Sequence, residues 1–192
     1  MRSYCLAIVG LLAGAVGASA EPELLAALAN RPDITPENLP RFFADFSFEL
    51  NSRPQDPETF LRRKRGDCDD FASLANRLLI QRGYQTKLVA VMMARQTHVV
   101  CYVPKAHGFL DYNHRADVSP VIPCGEALEE IAQKVAEDFR SPWRTVSEFR
   151  YRNNVPVYLT NVFAGPISHK AVSSASSAVP SELVSLRHRT QS

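Results

Sequence analysis

The chain has 192 residues, 45% of them hydrophobic and 22% charged, with a formal net charge of +2. That is enough for one domain with a substantial core, but not comfortably for two. Nearly balanced charge, with no stacking aromatics interleaved among the cations, argues against nucleic acid as a partner.

Met1 and Arg2 give a short basic start, an apolar run follows from Leu6 to Val16, and Ala18-Ser19-Ala20 precedes Glu21. This is the three-part form of a secretory signal peptide. Residues 1–20 are expected to be removed and the mature protein to be exported, periplasmic or secreted. The apolar run is too short for a permanent anchor, so no stable membrane insertion is expected after cleavage. Of the four cysteines, Cys5 leaves with the signal, and Cys68, Cys101 and Cys124 remain. An odd count in an oxidising compartment leaves one thiol over; a disulfide between Cys101 and Cys124 would leave Cys68 free.

The expected domain covers residues 21–165. Glu21 to Asn30 reads as a helix stopped by Arg31-Pro32, and Thr35-Pro36-Glu37 starts another, with Pro40 dividing off a short helical turn from Arg41 to Phe46. Phe42, Phe43, Phe46 and Phe48 are expected in the core. Asp56-Pro57-Glu58 opens a short helix ending near the basic run Arg62-Arg63-Lys64-Arg65, which reads as a solvated face.

Asp67 is a good helix N-cap, Asp70 can reach back as in a capping box, and Cys68 takes the first helical position. Phe71, Ala72, Ala75 and Leu79 continue one apolar stripe, and Gly83 is placed to end the helix. A thiol in the first turn feels the positive end of the helix dipole, which raises its thiolate fraction. By itself a cysteine on an apolar stripe is better read as a small core residue. The choice turns on whether a base is supplied elsewhere.

Beyond the helix the period changes to two. Lys87 to Met93, His98 to Val103 and Gly108 to Asn113 read as three strands of an antiparallel meander, giving an α+β domain. Strand alternation puts His98, Val100 and Tyr102 together on one face of their strand, and Phe109, Asp111 and Asn113 together on one face of theirs. A four-residue loop, Pro104 to His107, pairs Val103 with Gly108. It brings His98 opposite Asn113 and diagonal to Asp111, whereas a five-residue loop turns Asp111 away. Cys68, His98 and Asp111 then supply a nucleophile, a base and a group that orients the base; Asn113 is the alternative or auxiliary orienting residue. Glu126 to Phe139 reads as an amphipathic helix, and Trp143 to Phe163 as a hairpin about Asn153-Asn154. The serine-rich end, residues 166–192, reads as a disordered tail. His107 and His114 read as exposed turn residues, and His169 and His188 belong to the tail.

Gly66-Asp67-Cys68-Asp69-Asp70-Phe71-Ala72, Arg82-Gly83-Tyr84 closing the helix, a strand led by His98 and Gly108-Phe109-Leu110-Asp111 resemble the transglutaminase-like superfamily. The cysteine motif is most similar to its bacterial transglutaminase-like cysteine proteinases. The likeness covers roughly residues 55 to 115, and departs from the family where His98-Val99-Val100 replaces the usual His-Ala-Trp or His-Ala-Val start and where the hairpin to Asp111 is short.

The resemblance implies a papain-like core with the nucleophile helix packed on the antiparallel meander. It also implies Cys68, His98 and Asp111 as catalytic residues and a protein or peptide substrate attacked at an amide carbonyl through a thioester. Water would complete a hydrolysis; an amine would complete a transglutaminase-type transfer, and a non-catalytic peptide-binding domain is the alternative of another class. The Cys68 backbone N–H is expected in the oxyanion hole, with Asn51 or Gln55 among the candidates for the second donor. Asp67, Asp69 and Asp70 oppose the helix dipole at the thiol. Some relatives hold calcium beside the cysteine, but capping and solvation are preferred here, and no cofactor is expected.

Overall fold

The computed structural model describes residues 24–153 and 155–165. The expected signal segment (1–20), the tail (166–192) and Asn154 lie outside the described residues, as do His169 and His188. Among the described residues no helix is long and apolar enough to cross a membrane.

The fold is built on a helix, Cys68–Gln81, preceded in chain order by Leu24–Ala29 (α1) and Pro57–Arg63 (α2) and here called α3. Asp67 caps it, accepting from the Asp69 N–H, while the Asp70 carboxylate accepts from the Asp67 N–H at 3.2 Å, closing the capping box. At the other end Gly83 takes φ +80°, and the Tyr84 N–H returns to the Leu79 carbonyl. Phe71, Ala72, Ala75 and Leu79 are buried along the expected stripe, joined by Leu74 and Leu78.

Two short strands, Ser47–Phe48 (β1) and Arg65–Gly66 (β2), pair in parallel just ahead of α3. The main sheet comprises Lys87–Met93 (β3), Thr97–Val103 (β4), Gly108–Leu110 (β5), Val121–Pro123 (β6), Trp143–Arg152 (β7) and Val155–Phe163 (β8). Its order is β6-β5-β4-β3-β7-β8, every neighbouring pair antiparallel, and the protein is α+β. Residue alternation divides the core in two. On one face Leu88, Ala90, Val99, Cys101, Val103 and Leu110 meet α3 and a cluster of Phe43, Phe46, Phe60 and Phe71. On the other, Val89, Val91, Val100, Tyr102 and Phe109 meet Ile131, Ala132 and Val135 of the helix Leu128–Asp138 (α4).

Several expectations change. Residues 35–46 form a turn and a short 3₁₀ segment, Leu39–Phe43, with Pro40 inside it rather than between two helices. Pro36 and Pro40 each lack the N–H an α-helical ladder needs. Phe43 and Phe46 are buried, but Phe48 is 64% exposed, because β1 lies at the rim. Strand β5 stops at Leu110, since the Asp111 side chain caps a 3₁₀ turn, Tyr112–His114, by accepting from the Asn113 N–H at 2.8 Å. The disulfide is also corrected. Cys101 and Cys124 are both free thiols, and they belong to the cores on opposite faces of the sheet.

Candidate active site

Cys68 is partly exposed at the first position of α3, where its backbone N–H has no intrahelical acceptor. The approach to this position is fixed by carboxylates. Asp70, 3% exposed, accepts from the Gln55 backbone N–H, the Gln55 Nε2 (2.8 Å) and the Asn51 Nδ2 (3.2 Å). Asp67 accepts from the Asn51 backbone N–H at 2.8 Å. The segment 51–55 is thereby tied to the helix start, and the Asn51 and Gln55 side-chain amides proposed as oxyanion donors already serve Asp70. Gly66 belongs to the same arrangement: a Cβ there would meet the Asp70 carboxylate and lie 2.7 Å from the Phe60 ring. The glycine of the motif lets a buried carboxylate approach the backbone.

His98 stands at the start of β4 and Asp111 just past the end of β5, so antiparallel pairing brings them to one end of the sheet. The observed register pairs Val103 with Gly108, as the four-residue loop requires. His98 Nε2 lies 2.8 Å from Asp111 Oδ2, and both side chains are buried. Asp111 Oδ1 is held by the Asn113 N–H, so Asn113 acts on the pair through its backbone while its side chain is exposed. The Phe139 ring packs against the imidazole, centroids 4.8 Å apart. With Nε2 engaged by Asp111, Nδ1 is the nitrogen left for the thiol.

Burial works against a charged imidazole at His98. The Asp111 carboxylate outweighs it by charge and hydrogen bond, Cys68 adds to the effect, and the pKa rises to about 10. The raised value makes the imidazolium the resident form at neutral pH. Its contribution to stability is complete below the ordinary histidine value and is lost as pH rises through about 10. Burial pushes the other two thiols up, Cys101 to about 12 and Cys124 to about 11. Neither has a histidine or carboxylate hydrogen-bond partner, so nothing favours the thiolate at either.

One carboxylate lacks an explanation as a cap. Asp69 Oδ1 is buried without a hydrogen-bond partner. Burial, reinforced by Asp67 and Asp70, raises the Asp69 pKa to about 8. Ligand atoms of Asp67, Asp69 and Asp70 lie within 4.8 Å of one another. The orphaned oxygen and the crowded charge fit a hard cation such as calcium, although Asp67 and Asp70 also serve N–H donors and three carboxylates fall short of a full shell.

The remaining sequence candidates separate cleanly. His107 is exposed, in a left-handed turn conformation. His114 is half-buried rather than a free turn residue, with Asp117 and Asp138 on its two nitrogens. The basic run is exposed and paired: Arg62 with Glu58, Arg63 with Glu49, Lys64 with Asp45. Phe139 joins the site without being among the residues expected there. It follows Leu128, Ile131 and Val135 at helical spacing, which points it at the sheet. Asn51 and Gln55 carry no comparable signal for their attachment to Asp70, because it spans an irregular loop.

No protein-family model matches this chain, and no curated protein matches it.

Proposed function

We propose that the protein is an exported cysteine hydrolase of transglutaminase-like, papain-like fold that cleaves an amide bond of a protein or peptide through a thioester. The observation that carries this reading is the buried His98–Asp111 pair, 2.8 Å apart, with a partly exposed cysteine at a helix start near enough to help raise the His98 pKa. Asp111 fixes the imidazole so that Nδ1 serves the thiol, and the charged ring is the acid half of a thiolate–imidazolium pair.

In this mechanism the Cys68 sulfur adds to the amide carbonyl carbon, and the resulting oxyanion is met by the Cys68 backbone N–H. The tetrahedral species collapses, the C–N bond breaks, and the amine leaves with the proton given up by His98. Water then attacks the thioester carbonyl while His98 takes its proton. Release of the acid restores the thiolate–imidazolium pair. Asp67, Asp69 and Asp70 are the residues that would hold a calcium ion, whose charge would offset three carboxylates close to the thiol.

Alkylation of Cys68, followed on its own peptide by mass spectrometry, tests the reading; Cys101 and Cys124 are buried and react slowly. Cys68 is expected to react much faster than a free thiol at neutral pH, and His98→Ala to slow it by about a hundredfold or more. Equal rates in the two proteins, matching a free thiol, would reject catalysis and leave a binding domain. Offering a glutamine peptide with excess primary amine divides the chemistry: cleavage or ammonia without adduct supports hydrolysis, and an adduct assigns amine transfer instead.

A further inference from the structure

The imidazole of His114 lies between two carboxylates, with Nδ1 2.7 Å from Asp117 Oδ2 and Nε2 2.9 Å from Asp138 Oδ2. Ionised carboxylates only accept, so both ring nitrogens must donate and the ring must carry a proton on each. Burial opposes that charge, but Asp117 and Asp138, with Asp111 behind them, raise its pKa. The cationic neighbour, Arg115, is turned away: its guanidinium donates to the Phe43, Phe46 and Tyr112 carbonyls and stacks over the Tyr112 ring. Arg41 reaches the same loop only at the Val118 carbonyl.

The position of this bridge matters more than its strength. His114 ends the 3₁₀ turn that Asp111 begins. Asp138 is the last residue of α4, and the next residue, Phe139, lays its ring against His98. The contacts therefore close a circuit: Asp111 to His98, His98 to Phe139, Asp138 to His114, and through one helical turn back to Asp111. We propose that His114 is a positioning residue for the His98–Asp111 pair, its imidazolium bolting the turn that carries Asp111 to the helix end that carries Phe139. Asp111 sets one edge of the His98 ring and Phe139 sets its face, and the bridge keeps the two supports in register. The side chains involved are 30–52% exposed, so the bridge adds little to global stability. Its effect belongs in the orientation of His98.

The kinetic consequence rests on the hydrolase reading, whereas the geometric one does not. Histidine ring NMR on the full chain reads the geometry. In His114→Gln the His98 ring resonances should lose the shift imposed by the Phe139 ring, and the His98 titration should move to lower pH. Raising the pH until His114 loses its proton should remove the same Phe139-imposed shift in the wild type, whereas the variant should show only the titration of His98 itself. Cys68 alkylation should fall about tenfold in His114→Gln, the scale expected for a small misplacement of a reacting group. Asp138→Asn, which keeps the side-chain shape, should behave alike and serves if the first variant does not fold; Asp138→Glu should largely recover both readouts. Unchanged His98 resonances and titration in folded His114→Gln and Asp138→Asn would overturn the inference. A wild-type Cys68 no faster than a free thiol would reject the hydrolase reading alone, with the NMR measurement still deciding the bridge.

Discussion

At the scale of single residues, the site is a contest between burial and neighbouring charge, and the outcome differs by residue. His98 is buried against Phe139, which by itself would expel its proton, yet the adjoining Asp111 keeps the ring charged. Asp69 goes the other way. It is partly buried beside two other carboxylates, with one oxygen lacking any partner, and its pKa climbs to about 8. Between the ordinary aspartate value and about 8, the folded chain holds a proton that the unfolded chain has released. Asp69 therefore lowers stability as pH rises through that window. Asp69→Asn is expected to raise the melting temperature at pH 8 and to leave it near wild type at pH 4, where the native carboxyl is already neutral. Added calcium should raise the wild-type melting temperature at pH 8 if it binds this cluster, and should do less for the variant. A shift of equal size at both pH values would show that charge is not the cause.

At the scale of elements, α3 and the residues before it act as one unit. Asp70 closes the capping box and gathers the Asn51 and Gln55 donors, and it does so through the space left by a missing side chain at Gly66. Gly66→Ala puts a methyl group against the Phe60 ring and the Asp70 carboxylate, and is expected to cost about 1–3 kcal/mol as overpacking. It should also slow Cys68 alkylation, because Asp70 must move. Gly83 provides the contrast. Its φ of +80° strains any other residue, but open space surrounds it, so Gly83→Ala should cost about 1 kcal/mol and leave the thiol unaffected. Urea unfolding of both variants, with alkylation rates alongside, checks the pair; equal losses of reactivity would refute the role given to Gly66.

The same local rules explain what could be read from the chain. The α3 cap, its glycine stop, strands β3 and β4 and the His98–Asp111 register follow from residues close in sequence. Placing β7 beside β3 does not, because Val91 meets Val146 across more than fifty residues and alternation names no partner strand. Nor does the separation of Cys101 from Cys124, which depends on which face each strand turns toward which helix.

At the scale of the whole molecule, one sheet serves two cores, and the site draws on both. Cys68 comes from the helix on one face, while the His98 ring rests on Phe139 at the end of the helix on the other. Strands β3 and β4 contribute alternate residues to each cluster, so neither core can dissolve without exposing the back of the other. The consequence is cooperative unfolding as one unit. Leu79→Ala tests this, because Leu79 is fully buried on the α3 face and its truncation should cost about 2–5 kcal/mol. The chain's one tryptophan, Trp143, packs with the opposite cluster and reports from there. In urea, the midpoint read by Trp143 fluorescence should fall by the same amount as the midpoint read by far-UV circular dichroism. If the fluorescence midpoint stays at its wild-type value while the dichroism midpoint drops, the two cores unfold separately, and the claim that a shared sheet couples Cys68 to the support of His98 fails with it.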